Sequence, residues 1–277
     1  MNSMSLKAKI NQKAKELEVM PQDLLQMYFF ERLLYRISAS RYRDNFILKG
    51  GLLLAAIFGE DRRTTQDMDT MIKGLEIEPD SLLKVFKEIL SIKTDDGIIY
   101  EIKGFKDIRL EDKYGGIRLA IVGCKEDLRV NLKIDITIKD PITPREIEFK
   151  YKSMFDDNYI KIMAFTKETI IAEKFETLIE DTENDTRAKD FYDISILMNE
   201  EINEANLRKA IFNTFKRRER EYLLDELDER YEFINTSEIL KSNWANYQNG
   251  HPYALNVSYD DIMGSVFKII NIIKEIK

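Results

Sequence analysis

Two aspartates separated by one residue, Asp67 and Asp69, have the clearest capacity for chemistry in this sequence. Residues 66–73 alternate like a β-strand, so both carboxylates would project from one face while Met68 and Thr70 point to the other. Two carboxylates this close repel each other unless a cation lies between them. Mg²⁺ (or Mn²⁺) suits such a pair, because Mg²⁺ takes one or two carboxylates together with substrate phosphates. The alternative interpretation is a solvated strand face.

A third carboxylate, Asp135, lies in a second predicted strand over residues 128–139. Apolar and polar residues alternate there without exception, which predicts a half-buried strand. The polar face carries Asp135 among three cations, one of which is Lys133. If this strand lies near Asp67 and Asp69, the three carboxylates converge on one or two metal ions. Taken alone, the segment is equally typical of an ordinary hydrated sheet face.

A glycine pair precedes the first two aspartates. Lys49-Gly50-Gly51 stands between an apolar strand at residues 46–48 and an apolar helix at 52–58. Glycines let the backbone approach a phosphate, and a helix N-terminus offers free N–H groups, so this turn suits a nucleotide phosphate. A purely structural strand-to-helix turn is the alternative. The residues between this helix and the Asp pair that suit a phosphate or another anion are Arg62, Arg63, Thr64 and Thr65.

A lysine further along the chain occupies the apolar side of a predicted helix. Lys174 shares that side of residues 166–180 with Ile171 and Leu178, so it must snorkel to solvent, pair with an acid or meet an anion. On the next predicted helix, residues 187–198, Asp190 and Asp193 flank an apolar stripe. Their partner is either a cation of their own helix, Arg187 or Lys189, or Lys174 across the helix pair.

The periodicities around these residues predict an α/β (α+β) protein in two parts. Residues 1–165 would hold two N-terminal helices and a mixed α/β core, and residues 166–277 a helical C-terminal domain. The 277-residue chain carries a net charge of −7, one cysteine and one histidine. This composition excludes a disulfide framework and a clustered-histidine zinc site, and it argues against nonspecific coating of nucleic acid. No apolar run approaches the length of a membrane span, so a soluble cytoplasmic protein is expected.

The ordered motifs of this chain resemble the AbiEii/AbiGii toxin family, nucleotidyltransferase-like toxins of bacterial abortive-infection (type IV) toxin–antitoxin systems. The motifs that carry the resemblance are Phe-Ile-Leu-Lys-Gly-Gly at 46–51, Arg63-x-Thr65-x-Asp67-x-Asp69, Lys133-x-Asp135, Ala172-x-Lys174 and Arg187-x-x-Asp190-Phe-Tyr-Asp193. Many nucleotidyltransferases have Gly-Ser where this chain has Gly50-Gly51, so a phosphate-binding hydroxyl is missing at that position. The resemblance implies a polymerase-β-like nucleotidyltransferase core with a mixed sheet.

The resemblance also implies roles for individual residues. It makes Asp67, Asp69 and Asp135 the metal ligands, and Lys174 with Asp190 the remaining catalytic pair. The residues expected to bind the nucleotide are Lys49, Gly50, Gly51, Arg63, Thr65, Lys133, Lys174 and Asp193.

The function expected from residues and resemblance together is Mg²⁺-dependent transfer of a nucleotide from an NTP to an RNA, with the 3′ end of tRNA as the expected acceptor. Such transfer would stop translation and growth, and the resemblance implies a cognate antitoxin encoded nearby. One alternative is a toxin that binds GTP or another NTP without transferring it, and a more distant one is an Asp-x-Asp glycosyltransferase using Mn²⁺. A basic surface for RNA is expected at Arg208, Lys216, Arg217, Arg218 and Arg220.

Overall fold

A computed structural model describes residues 1–59, 63–76, 78–108, 115–181 and 188–275. The chain forms two compact units. The first comprises Met1–Lys139 and Glu146–Ala164, and the second comprises Asp140–Arg145 and Phe165–Lys277. The expected helix-rich character of the C-terminal part and the α/β character of the part before it are confirmed.

The first unit contains one mixed sheet of seven strands within the described residues. The strands are β1 (Phe46–Lys49), β2 (Asp67–Ile72), β3 (Ile99–Ile108), β4 (Gly116–Lys125), β5 (Leu128–Ile138), β6 (Ile147–Lys152) and β7 (Tyr159–Ala164). Their order across the sheet is β3-β4-β5-β2-β1-β7-β6. The pairs β2/β5 and β1/β7 are parallel, and the other neighbouring pairs are antiparallel.

The helices of the first unit are α1 (Ser3–Leu17), α2 (Pro21–Ala39), α3 (Gly50–Phe58) and α4 (Pro79–Leu90). Strand β1 is buried along its whole length and lies inside the sheet, between β2 and β7. Such a strand reads as a continuous apolar run, which is why residues 46–48 predicted it correctly. Helix α3 follows β1 without a loop and buries Leu52, Leu53 and Leu54. The first glycine of the turn therefore opens a helix anchored in the core.

The described part of the second unit is helical. Its helices are α5 (Lys167–Glu180), α6 (Ala188–Met198), α7 (Glu204–Arg217), α8 (Leu227–Thr236), α9 (Glu238–Gly250) and α10 (Tyr259–Lys274). Residues Asp140–Arg145, which the sequence analysis places with the α/β core, belong to this unit. The reason is that Thr143 is bound to the start of α5, where its N–H donates to Thr169 Oγ1 at 3.0 Å and its carbonyl accepts from Thr166 Oγ1 at 2.8 Å.

Strand β7 is an element that the sequence analysis does not predict. Ile160, Ile162 and Ala164 are buried at alternate positions, so a period of two was present in the sequence. The described helices include none with the length and apolar character that a bilayer crossing requires.

Candidate functional site

A row of four charged residues crosses four neighbouring strands of the sheet. Its members, each the register partner of the next, are Lys49, Asp69, Asp135 and Arg118. Register partners on adjacent strands point to the same face, so two carboxylates stand side by side with a cation on each flank. Asp67 lies on the same face of β2, and its partner on β5 is the exposed Lys133. The sheet thus brings the three predicted carboxylates onto one face.

Asp135 does not stand open in this row, because Arg118 binds both of its oxygens. Arg118 Nε lies 2.6 Å from Asp135 Oδ1, and Nη2 lies 2.7 Å from Oδ2. The hydrogen bonds that Arg118 donates to Asp135 raise the pKa of the guanidinium above its ordinary value, and the negative charges of Asp67 and Asp69 add to this. No set of three acidic, histidine or cysteine side chains among the described residues is arranged to hold a metal ion. Metal ligation by Asp135 stays a prediction.

Asp67, which lies beside the row on β2, has a carboxylate oxygen that calls for a further partner. Its Oδ1 is buried and has no hydrogen-bond partner in the part of the chain that the structure describes. A buried carboxylate oxygen without a partner is costly, and a hard divalent cation is a natural partner for it. The Asp67–Asp69 pair therefore fits a divalent ion, with Asp69 two residues away on the same face.

The glycine turn packs directly against these carboxylates. Gly50 has φ +63°, and a Cβ there would lie 2.0 Å from Asp69 Oδ2. A Cβ at Gly51 would lie 2.6 Å from Thr65 Oγ1. Both glycines are therefore needed, because side chains of the site occupy the space beside them. Helix α3 begins at Gly50, so its free N–H groups and positive dipole end open beside Asp69.

Thr65 and Arg63 line the other side of the turn. The Thr65 hydroxyl donates to the Asp67 carbonyl at 3.1 Å, which fixes it next to the Asp pair. Arg63 is only 2% exposed, and its guanidinium donates to the Thr64 carbonyl. Arg63 Nη2 would lie 3.3 Å from a Cβ at Gly51. Position 51 has no side-chain hydroxyl, and the Thr65 hydroxyl lies in the space beside it.

A second charged cluster lies in the helical unit. Lys174 Nζ on α5 is 2.7 Å from Asp190 Oδ1 and 2.7 Å from Asp193 Oδ2 on α6. The Lys174 side chain is 14% exposed and that of Asp193 is 0% exposed. Lys174 therefore pairs with acids of the neighbouring helix, which is one of the three outcomes expected from its position on the apolar side of α5. Arg187, an alternative partner for Asp190, lies outside the described residues.

Several basic residues expected to form an RNA surface are engaged within the helical unit. Arg218 and Arg220 both bind Glu176, whose side chain is 0% exposed. Arg208 Nε donates to the Ile272 carbonyl at 2.6 Å. These arginines stabilise the helical unit through those contacts. Fewer basic side chains are therefore available for the predicted RNA surface than the sequence indicated. Lys216 of the same segment is exposed.

Arg118 is the site residue that sequence reasoning missed. It stands between the buried Ile117 and Leu119, so the alternation placed it on the polar face of its strand. Its pairing with Asp135 depends on the register of β4 against β5, which residue types alone do not determine.

A groove of about 660 Å³ in the first unit contains none of the predicted site residues. It is lined by α1, the C-terminal end of α3 and residues 151–157.

Comparisons with known proteins show the family and the fold of this chain. Residues 32–264 match a family model described as "Nucleotidyl transferase AbiEii toxin, Type IV TA system". A protein of H. pylori assigned as a nucleotidyltransferase is similar in structure, with a TM-score of 0.52 and 15% identity over 94% of this chain and 99% of that one. JHP933 from Helicobacter pylori is similar with a TM-score of 0.50 and 14% identity, over 92% of this chain and 94% of that one. No curated protein sequence matches the chain. The expected nucleotidyltransferase-like fold is confirmed.

Proposed function

Because the chain belongs to the AbiEii nucleotidyl transferase toxin family of type IV toxin–antitoxin systems, we propose that it transfers a nucleotide from an NTP to an RNA acceptor. The proposed acceptor is the 3′ end of tRNA, whose modification would block translation and growth. The observation that carries the proposal is the buried Oδ1 of Asp67, which has no hydrogen-bond partner among the described residues, on the strand whose Asp69 contacts a glycine turn that opens a helix. That arrangement supports a metal-binding role for the carboxylate pair and a phosphate-binding role for the backbone of the turn.

The chain's own residues would hold the nucleotide through its phosphates. The N–H groups at the start of α3 offer donors and a positive dipole end to one phosphate, and Gly50 and Gly51 keep side chains out of that space. The Thr65 hydroxyl, held by the Asp67 carbonyl, provides the polar contact that a serine at position 51 would give. Arg63 and Lys133 supply positive charge to the same face.

Asp67 and Asp69 are the residues that would hold Mg²⁺, or Mn²⁺ in its place. When bound, a divalent ion stabilises the attacking and leaving oxygens of an in-line displacement at the α-phosphate. Lys174 is proposed to bind the triphosphate, with Asp190 and Asp193 orienting its ammonium group when nucleotide is absent. No histidine or cysteine is required for this chemistry.

The Arg118–Asp135 pair favours one second candidate, a toxin that binds an NTP without transferring it, because the pair occupies a carboxylate that catalysis would use. For either candidate we propose action in the cytoplasm and neutralisation by a cognate antitoxin, which the family implies.

Incubation with each labelled NTP, Mg²⁺ and total cellular RNA separates the two candidates. Label in size-resolved RNA supports transfer, and the labelled species identifies the acceptor. Retention of NTP on the protein with unlabelled RNA supports the binding-only toxin. The Asp69→Asn variant is the matched control, since it removes one charge and keeps the shape of the side chain.

A further inference from the structure

We propose that Arg118 competes with a divalent cation for Asp135, and so holds this carboxylate closed to metal until the guanidinium moves away. The proposal rests on the proposed metal site at Asp67 and Asp69 and assigns Arg118 as a positioning residue of that site.

The hydrogen-bond geometry supports direct competition. Both Asp135 oxygens accept from Arg118, at 2.6 and 2.7 Å, in the bidentate arrangement that is the strongest between these groups. A metal ion bound to Asp135 needs at least one of the same oxygens. Because the guanidinium already neutralises this carboxylate, its positive charge opposes the binding of a second cation at the same oxygens.

The charges around Asp135 explain why a cation is needed there in either state. Asp69 is its register partner on β2, and Asp67 lies on the same face. Without a counter-ion, two side-by-side carboxylates repel each other. Lys49 flanks Asp69, and Arg118 supplies the compensating charge on the side of Asp135.

The exposure of the two side chains indicates which one can move. The Arg118 side chain is 35% exposed, whereas that of Asp135 is 14% exposed. A long arginine side chain at the surface can rotate into solvent, while the short aspartate is fixed by its strand. Opening the carboxylate thus requires rotation of the Arg118 side chain and no change of the sheet.

Mn²⁺ binding to the full chain without nucleotide tests the proposal, with free Mn²⁺ followed by electron paramagnetic resonance. We expect Arg118→Gln to bind Mn²⁺ at least about tenfold more tightly than the wild type, because the competing cation is gone. Arg129→Gln is the matched control. It removes the same charge from the next strand, where the Arg129 side chain is 67% exposed, and its affinity should stay within about twofold of the wild type.

Two further variants keep the result decisive. Adding Asp135→Asn to Arg118→Gln should abolish the gain, since the contested oxygen charge is lost. Arg118→Lys retains a cation for the fold but cannot bind both oxygens, so it should show a smaller gain than Arg118→Gln. Equal affinity of the wild type, Arg118→Gln and Arg118→Lys would overturn the proposal, as would a gain that persists with Asp135→Asn. RNA and NTP are absent from this experiment, so failure of nucleotide transfer is scored separately.

Discussion

Asp69 and Asp135 are register partners on the parallel strands β2 and β5. The chain between them forms α4, β3 and β4 before β5 returns beside β2. The acid cluster therefore exists only when this crossover is complete. Arg118 lies on β4, the strand immediately before β5, and is the register partner of Asp135 on the side opposite Asp69. A site of this kind is assembled by the sheet's topology.

Asp67 should be needed for metal binding and not for folding. Asp67→Ala removes a buried oxygen that has no partner among the described residues, so we expect the free energy of unfolding in EDTA to stay unchanged or rise by about 1 kcal/mol. Mn²⁺ binding and growth inhibition should both be lost. Urea unfolding and Mn²⁺ titration measure the two effects, with the exposed Asp107→Ala on β3 as control. A soluble Asp67→Ala protein that still inhibits growth fully contradicts the assignment.

The Thr65 hydroxyl should replace the serine that position 51 lacks. Thr65→Ala is expected to weaken NTP binding about tenfold, a loss of about 1.4 kcal/mol, whereas Thr65→Ser retains affinity. The neighbouring Thr64→Ala serves as control, since that hydroxyl faces Asp23 at 3.4 Å.

Gly51→Ser tests how tightly position 51 packs against the Thr65 side chain. A Cβ there lies 2.6 Å from Thr65 Oγ1, so the single variant should be destabilised. Combining it with Thr65→Ala removes the nearest atom and leaves the Thr65 Cβ at 3.0 Å, so stability should recover in part. Thermal unfolding measures both. A Gly51→Ser protein as stable as the wild type would show that the turn is not packed as described.

Lys174 should contribute to both stability and nucleotide binding. Lys174→Met leaves Asp193, which is 0% exposed, without its cation, and we expect a loss of about 3–5 kcal/mol in the free energy of unfolding. Adding Asp190→Asn and Asp193→Asn removes the stranded charges and should restore much of this loss.

Nucleotide affinity is then compared between this triple variant and the Asp190→Asn/Asp193→Asn protein, which retains the lysine. If Lys174 binds the triphosphate, calorimetry should show at least about tenfold weaker NTP binding by the triple variant. Equal affinities would leave Lys174 a structural residue.

The basic segment after α7 should separate into structural and RNA-binding residues. Arg218→Ser should lower the free energy of unfolding by about 1.5–3 kcal/mol, because a hydrogen bond to the buried Glu176 carboxylate is lost. Lys216→Ser should leave stability within about 0.5 kcal/mol and reduce the salt slope of RNA binding by about 0.7–0.9 if it contacts one phosphate. An unchanged slope places the RNA surface elsewhere on the chain.

Much of the fold followed from periodicity. The two predicted N-terminal helices are present as α1 and α2, and β5 shows the expected alternation from Leu128 to Ile136. Strand β7 was missed, although its alternate apolar residues were visible. It is one of the two strands that cover β1, and no chemical motif drew attention to it.

The candidate site was predictable as residue types and not as contacts. Three features were visible locally in the sequence: the spacing of the Asp pair, the glycine turn, and the position of Lys174 on the apolar side of a helix. The sequence indicated only that Arg118 lies on the polar face of a strand. Its two hydrogen bonds to Asp135 depend on the register between β4 and β5. Residue types alone also could not show that Arg218 and Arg220 bind Glu176, because those contacts depend on how the helices of the second unit pack.

The fate of the α- and γ-phosphates of the NTP separates nucleotide transfer from phosphate transfer and from binding alone. RNA is recovered after incubation with Mg²⁺ and either α-labelled or γ-labelled NTP. Nucleotide transfer predicts that the α-label stays on the RNA and that the γ-label leaves as pyrophosphate. EDTA and Asp69→Asn should each abolish the labelling of RNA and the release of pyrophosphate. Transfer of the γ-label to RNA or protein, or bound NTP with neither label moved, would contradict nucleotide transfer.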